Sequence, residues 1–321
     1  GDLDYNKLPL LTQICSNKLK FDIFEHNIEP FIRFSHVQNI KMAGWVIVDN
    51  KYLSDNEEYS RCQLSYSCTY NRVLPFDKQT ISNFVNCSFD IECTSESKKG
   101  FPDFNKKNDS ITQIGATFIK YNGEELKYIA TRKSPIEGGC DNVNNADVVD
   151  IAKNEMDIIN KWVSFVEKMD PDIITGFNTY DFDWTYLYQR CALFNKIHLL
   201  ERLSRISDIG AFYKTERLST SAYGDNNFKF MYIYGVTNFD LRVLIKREHN
   251  LESYKLNNIA KHFNKEEKFD ISPHELFHKV EGTNKDMAEV CEYCIQDTVL
   301  VGNLFKKLCI FSNIIGMANI Y

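Results

Sequence analysis

No apolar run in this 321-residue chain approaches the roughly 18 residues of a membrane-spanning helix, and no signal-peptide pattern opens it. We therefore expect an intracellular protein that takes no part in a membrane. A zinc tetrad is missing too: the ten cysteines are scattered, and Cys291-x-x-Cys294 has no second Cys or His pair to complete four ligands. Reduced thiols are expected. Nor is there an excess of positive charge. Lys and Arg total 38 against 44 Asp and Glu, a net charge of −6, which argues against a broad basic footprint for nucleic acid. Only local clusters remain, at Lys98-Lys99, Lys106-Lys107, Arg132-Lys133, Arg202 with Arg205, and Lys246-Arg247, most of which read as solvated faces or loops. No internal repeat is found. Core-forming residues are plentiful: 43% hydrophobic and 13% aromatic residues argue against disorder.

The chemistry is carried by carboxylates. In Cys87-Ser88-Phe89-Asp90-Ile91-Glu92-Cys93, strand alternation sets Asp90 and Glu92 on one face and Phe89 and Ile91 on the other. Like charges so placed in a core repel and lose hydration, so they persist there only with a bound cation; a solvated antiparallel strand face would also yield Asp-x-Glu. A second signal is Gly176-Phe177-Asn178-Thr179-Tyr180-Asp181-Phe182-Asp183-Trp184, read as a strand end, a turn and a helix opening near Phe182. Either acid there can be an ordinary helix-end residue, and with two available Asp181 can serve the helix while Asp183 points to the strand edge. The third signal is a helix over 285–308 whose apolar stripe, Val290, Cys294, Val301, Leu304 and Leu308, contains Asp297, with Tyr293 one turn earlier. Four acids from three segments suit two Mg²⁺ ions roughly 3.5–4 Å apart in phosphodiester hydrolysis, and a phenol can orient the attacking water.

These segments, Phe89-Asp90-Ile91-Glu92, Gly176-Phe177-Asn178 with Phe182-Asp183, and Tyr293-Cys294-Ile295-Gln296-Asp297, resemble in order and spacing the three exonuclease motifs of family B DNA polymerases, in the tyrosine subclass of the DEDD exonucleases. Phe239-Asp240-Leu241 and Ser253-Tyr254-Lys255-Leu256-Asn257 look like the connecting stretch of delta-type members. Phe31-Ile32-Arg33-Phe34, Ala43-Gly44-Trp45 and Cys62-Gln63-Leu64 are similar to the strand-rich domain that precedes the exonuclease there. The resemblance implies a 3′→5′ proofreading exonuclease. Asp90, Glu92, Asp183 and Asp297 would hold two Mg²⁺, with Mn²⁺ able to substitute, Tyr293 would position the water, and Asn178 and Phe182 would touch the unpaired 3′ end of DNA. Asp181 stands where the family more often has Asn. Since no Asp-Thr-Asp or Ser-Leu-Tyr-Pro run of a polymerase palm is present, the resemblance implies the front third of such an enzyme, whose palm, fingers and thumb, and a sliding clamp bound through them, would be its partners. Such a fragment would degrade DNA without extending it, at a site of DNA replication in the nucleus or in a viral factory. Richness in Asn, Lys and Ile suits an AT-rich genome, of a large DNA virus or of a protist. A free-standing exonuclease, and a silent module that only scaffolds a polymerase or guides single strands, remain alternatives.

The pattern along the chain predicts a mainly β unit over 1–85, an α/β ribonuclease-H-like domain over 86–310 and the start of a connection over 311–321. Strands are expected at 86–95, 110–121 and 126–132, the last two joined by the hairpin signal Asn122-Gly123. Helix 153–169, strand 172–176, helix 182–194, an irregular insertion at 200–235, and helices near 240–249, 254–263 and 285–308 follow. The aromatics of Phe228 to Tyr234 suit either packing or base stacking.

Overall fold

Residues 28–55, 59–98, 100–220, 224–265 and 271–320 are described by a computed structural model. Residues 1–27 of the expected amino-terminal β unit, and Lys99, lie outside them. The chain divides into two units, one of residues 1–57, 64–81 and 311–321, the other of 58–63 and 82–310. The units therefore interleave in sequence instead of meeting at 85 and 310.

In the first unit a helix, α1 (Pro30–Gln38), precedes four two-residue strands, β1 (Val46–Ile47), β2 (Ser54–Asp55), β3 (Tyr66–Ser67) and β4 (Leu74–Pro75). β1 pairs with β4 and β2 with β3, both antiparallel. Phe31 to Phe34, inside the expected mainly β unit, lie in a helix. Alternation over four residues is too short to establish a period, whereas Pro30 presets the first helical turn and Asn39, at φ 53°, ends it in the left-handed region. The side-chain amide of Asn319 brackets Ala43, accepting from its N–H and donating to its C=O at 2.9 Å each, which ties the chain's last residues to this unit.

The second unit contains β5 (Val85–Cys93), β6 (Ile111–Lys120), β7 (Glu125–Arg132), β8 (Val148–Ala152), α2 (Glu155–Met169), β9 (Ile173–Gly176), α3 (Asp183–Leu193) and α4 (His198–Glu201). Then come β10 (Phe212–Thr220), β11 (Gly224–Tyr232), β12 (Thr237–Asp240), α5 (Leu241–Glu248), α6 (Leu256–Phe263), α7 (Pro273–Lys279) and α8 (Asn284–Lys307); a last helix, α9 (Ile310–Ala318), leads into the first unit. Six strands form one mixed sheet in the order β12-β9-β5-β6-β7-β8. β5, β6 and β7 are antiparallel neighbours, joined between β6 and β7 by the turn at Gly123 (φ 90°), while β9, β12 and β8 add in parallel. With helices on both faces, this is the ribonuclease-H-like arrangement.

Alternation along β5 decides what each face meets. Cys87, Phe89, Ile91 and Cys93 enter the core with α2 and α3, where Phe89 lies 5.2 Å from Trp162 and 4.7 Å from Trp184, ring to ring. Contacts of this kind contribute about 0.5–1.5 kcal/mol per pair beyond burial. Ser88, Asp90 and Glu92 point the opposite way, toward α8. That helix opens with a capping box between Thr283 and Asp286 and presses a narrow face onto the sheet. At Gly115 an added Cβ would lie 2.8 Å from Cys294 Sγ, and at Gly302 2.5 Å from Ile119 Cδ1, so two glycines allow the close approach. A buried Thr117–Thr298 hydroxyl pair at 2.7 Å lies in the same interface.

The insertion is more regular than its sequence suggests. β10 and β11 form a nine-pair antiparallel ladder. Phe228 and Phe230 pack on Tyr180, at 5.9 and 5.0 Å between ring centroids, and Tyr213 stacks on Tyr188 at 4.4 Å, which decides for packing. Three supposed surface arginines are structural instead. Arg205 binds Asp170 and Asp172, Arg202 binds Glu167, and Arg132 donates to Val280 O and Glu281. All nine cysteines among the described residues are free. Among these residues no single helix is long and apolar enough to cross a membrane.

Candidate metal centre

Asp90 and Glu92 sit on the central strand β5, half-buried beneath α8. Their carboxylate oxygens and Cys294 Sγ lie within 4.8 Å of one another. Asp90 pairs in register with Gly115, and the β5–β6 register slips after Glu92, where Thr112 donates its hydroxyl to Glu92 O at 3.1 Å. A register slip of this kind re-aims side chains where a strand meets a site. Cys294 is the third member of the cluster by position and a poor ligand by chemistry. Burial, followed by Asp90, Glu92 and Asp297, pushes its thiol far above the ordinary range, so it stays a neutral S–H, directed at Asp90 O 3.7 Å away.

Asp183 is the first residue of α3 and 2% exposed. Its Oδ1 accepts the N–H of Ile91, the residue between the two strand acids, at 3.2 Å. Burial pushes its carboxyl up to about 7, with Asp240 adding to the rise and the N–H groups of Asp183 and Ile91 opposing it. Asp297, 8% exposed, faces the sheet three residues after Cys294 on α8 and is among the charges raising that thiol. Cys93, on the opposite face of β5, is raised first by burial and then by Glu92, Asp183, Glu155 and Asp90. Of the four acids named from sequence, Asp90 and Glu92 cluster on β5, Asp183 is bonded to the strand between them, and Asp297 lies one helical turn beyond Cys294, outside the closest cluster.

A cavity of about 540 Å³ opens beside Glu92. Its lining includes Phe182 and Tyr293, together with Lys98, Phe101, Pro102 and Phe277. Tyr293 and Phe182 therefore border the same space as a strand carboxylate. Asn178 is held differently. It adopts φ 69° in the turn before α3, donates its N–H to Asp240 Oδ1 at 3.0 Å, and accepts from Arg242 at 2.6 Å through its side-chain oxygen. Asp181 does not cap α3, as its position suggested. Phe182 occupies the cap position without a side-chain bond, while Asp181 is exposed and pairs with Arg242 at 3.3 Å, which offsets its extra charge.

Two residues that organise this region were not singled out by chemistry in the sequence. Asp240 is buried at the end of β12, and its two oxygens accept the N–H groups of Asn178, Tyr180 and Arg242. Its signals were the family resemblance of Phe239-Asp240-Leu241 and an acid directly before a helical pattern, which reads as an N-cap. Arg190 is wholly buried in α3, and its position between Leu187 and Cys191 on the apolar face was the available signal.

The profile of the DNA polymerase family B exonuclease domain matches residues 21–259. This chain belongs to the family B DNA polymerases. The matched stretch contains Asp90, Glu92 and Asp183. The DNA polymerase delta catalytic subunit of Dictyostelium discoideum is 34% identical over 307 residues, covering 94% of this chain and 27% of that protein. A DNA polymerase of Pyramimonas orientalis virus is 25% identical over 94% of this chain and 40% of its own length. The solved family B DNA polymerase of the archaeon Pyrobaculum calidifontis shares the fold, with TM-score 0.66 at 16% identity, over 95% of this chain and 34% of that one. The family B exonuclease region described here thus spans between about a quarter and two-fifths of these relatives.

The donor set fits hard divalent ions. Carboxylate oxygens cluster in a half-buried cleft with Cys294 kept as a thiol, and Asp183 is buried where its charged form needs a nearby cation.

Proposed function

We propose that this region is the 3′→5′ proofreading exonuclease of a replicative family B DNA polymerase, removing mispaired 3′ nucleotides from DNA as 5′-monophosphates. The observation that supports the reading is the Asp90–Glu92 cluster on β5, with Asp183 bonded to the strand between them and a cavity bordered by Glu92, Tyr293 and Phe182 alongside. Asp90, Glu92, Asp183 and Asp297 would hold two Mg²⁺, or Mn²⁺ in their place, which when bound would supply a nucleophilic water at neutral pH and charge neutralisation at the leaving oxygen. Tyr293 donates or accepts a hydrogen bond that aims the water at phosphorus. Attack breaks the bond from phosphorus to the 3′ oxygen of the preceding nucleotide, freeing a nucleoside monophosphate and leaving a 3′ hydroxyl. Phe182 offers a face to the terminal base, and Asn178, oriented by Arg242, offers its amide N–H₂. Palm, fingers and thumb of the parent enzyme, and a sliding clamp bound through them, are the partners that deliver the frayed end. The parent works at an intracellular site of DNA replication, nuclear or in a viral factory.

The test is a 5′-labelled single strand incubated with the protein in Mg²⁺, Mn²⁺ or EDTA. A metal-dependent ladder shortening from the 3′ end is expected; tight DNA binding with no product under any metal would instead favour a strand-guiding module. In the same assay Tyr293→Phe is expected to slow cleavage by about 10- to 100-fold with unchanged metal affinity, measured by Mn²⁺ titration. Equal losses of rate and affinity would give the tyrosine another role.

A further inference from the structure

The segment that follows the strand acids, residues 101–110, supplies Phe101 and Pro102 to the cavity beside Glu92, Phe182 and Tyr293. It has no regular secondary structure beyond turns, and Phe101 is 92% exposed, yet its backbone is bound at several points. Arg190 of α3, 0% exposed, uses all five of its N–H donors, three of them on this segment. Nε and one terminal nitrogen hold Glu155 in a two-point pair at 2.7 and 2.6 Å. The terminal nitrogens also donate to the carbonyls of Phe104 at 3.0 Å, Lys106 at 2.5 Å and Lys107 at 2.9 Å. Glu155 in turn accepts the N–H of Ile111, where β6 begins, at 2.8 Å. From inside the segment, Asp109 accepts the N–H groups of Glu96 and Asp103 at 2.8 Å each, and Tyr186 donates its hydroxyl to Asp109 O at 2.8 Å.

A buried arginine with no spare donor, three of whose bonds go to the carbonyls of one irregular segment, fixes the path of that segment whatever its side chains are. We infer that Arg190, paired with Glu155, is a positioning residue of the nucleic-acid site: it holds residues 101–110 as a preformed wall and so sets affinity for single-stranded DNA without entering the hydrolysis. The inference rests on the exonuclease reading for the identity of the ligand. The physical basis is entropic. A wall already ordered in the free protein need not be ordered by the DNA, whereas a loosened one must be.

Arg190→Lys is the informative change. It keeps a cation opposite Glu155, so no lone carboxylate is buried, but three donors on one nitrogen cannot reach three carbonyls and both carboxylate oxygens. Binding of a 5′-fluorescent single strand in Ca²⁺ is expected to weaken about tenfold, while kcat at saturating DNA in Mg²⁺ stays within about twofold. Trypsin should nick the variant faster after Lys106 and Lys107. Should Arg190→Lys fail to fold, Asp109→Asn loosens the same segment from within, leaves the Arg190–Glu155 pair in place, and is expected to behave alike. Unchanged affinity and nicking in a folded variant, or a loss confined to kcat, overturns the inference. A wild-type protein that binds DNA without cleaving it defeats the exonuclease reading alone, because affinity and nicking still decide the role of Arg190.

Discussion

Asp90→Ala is expected to abolish metal-dependent shortening of single-stranded DNA, by roughly 10³-fold or more, while the protein keeps its fold. The expectation follows from the two faces of β5. Phe89 and Ile91 hold the strand in the core with Trp162 and Trp184, and the substitution leaves that face untouched. On the other face, Asp90 and Glu92 crowd together with Cys294 within 4.8 Å. Removing one carboxylate relieves repulsion in the metal-free protein, so melting in EDTA should occur at the same or a slightly higher temperature. The measurements are gel-resolved cleavage at saturating Mg²⁺ and thermal melting by circular dichroism. Cleavage equal to that of the parent protein would sink the assignment of Asp90 as a metal ligand, and a collapse of melting temperature would mean that the acid is structural.

Asp240→Ala is expected to do the reverse, lowering stability first. Its two oxygens accept three backbone N–H groups, from Asn178 and Tyr180 in the turn before α3 and from Arg242 in the first turn of α5. Alanine leaves these donors with no acceptor at a residue that is 2% exposed. Each stranded buried donor costs about 1–3 kcal/mol, less where water enters, so a total near 3 kcal/mol is a reasonable expectation. For a domain of this size that corresponds to a fall in melting temperature of roughly 6–12 °C. Asp240→Asn, which keeps one acceptor oxygen, should fall between the two. A shift below about 2 °C for the alanine variant would show that the turn is held by other contacts. Since the same turn leads into Asp183, cleavage should decline as well, but only in proportion to the loosened geometry.

The candidate centre was legible wherever a short period met a chemical contradiction. Asp90 and Glu92 share a strand face, and Asp297 lies inside a helical apolar stripe; in both cases local geometry alone puts charge where a core should be. The hairpin at Gly123 was equally local, since its left-handed residue defines the turn. Strand β8 and helix α7 were not read, because five and seven residues are too few to display a period. β12 was not read either, falling between the expected insertion at 200–235 and the helix near 240–249, and its role depends on a parallel pairing with β9 that leaves no mark in its own residues. Within the expected β unit, Phe31 to Phe34 likewise form too short a stretch to show a period, and Pro30 decides for a helix.

Backbone periods of two and 3.6 residues are enough to give the set of ligand candidates, the sides of β5 and α8 on which they stand, and the order of the elements that carry them. Folding alone brings Cys294 beside Asp90 and Glu92 as a thiol, Asp183 onto the N–H of Ile91 between them, Arg242 onto Asp181, and Arg190 across to the carbonyls of 104, 106 and 107. Those facts depend on the close approach of α8 to β6 over Gly115 and on hydrogen bonds between residues more than 60 positions apart. Such pairings are selected by the packing of the whole sheet and its two helical layers, which no local pattern encodes.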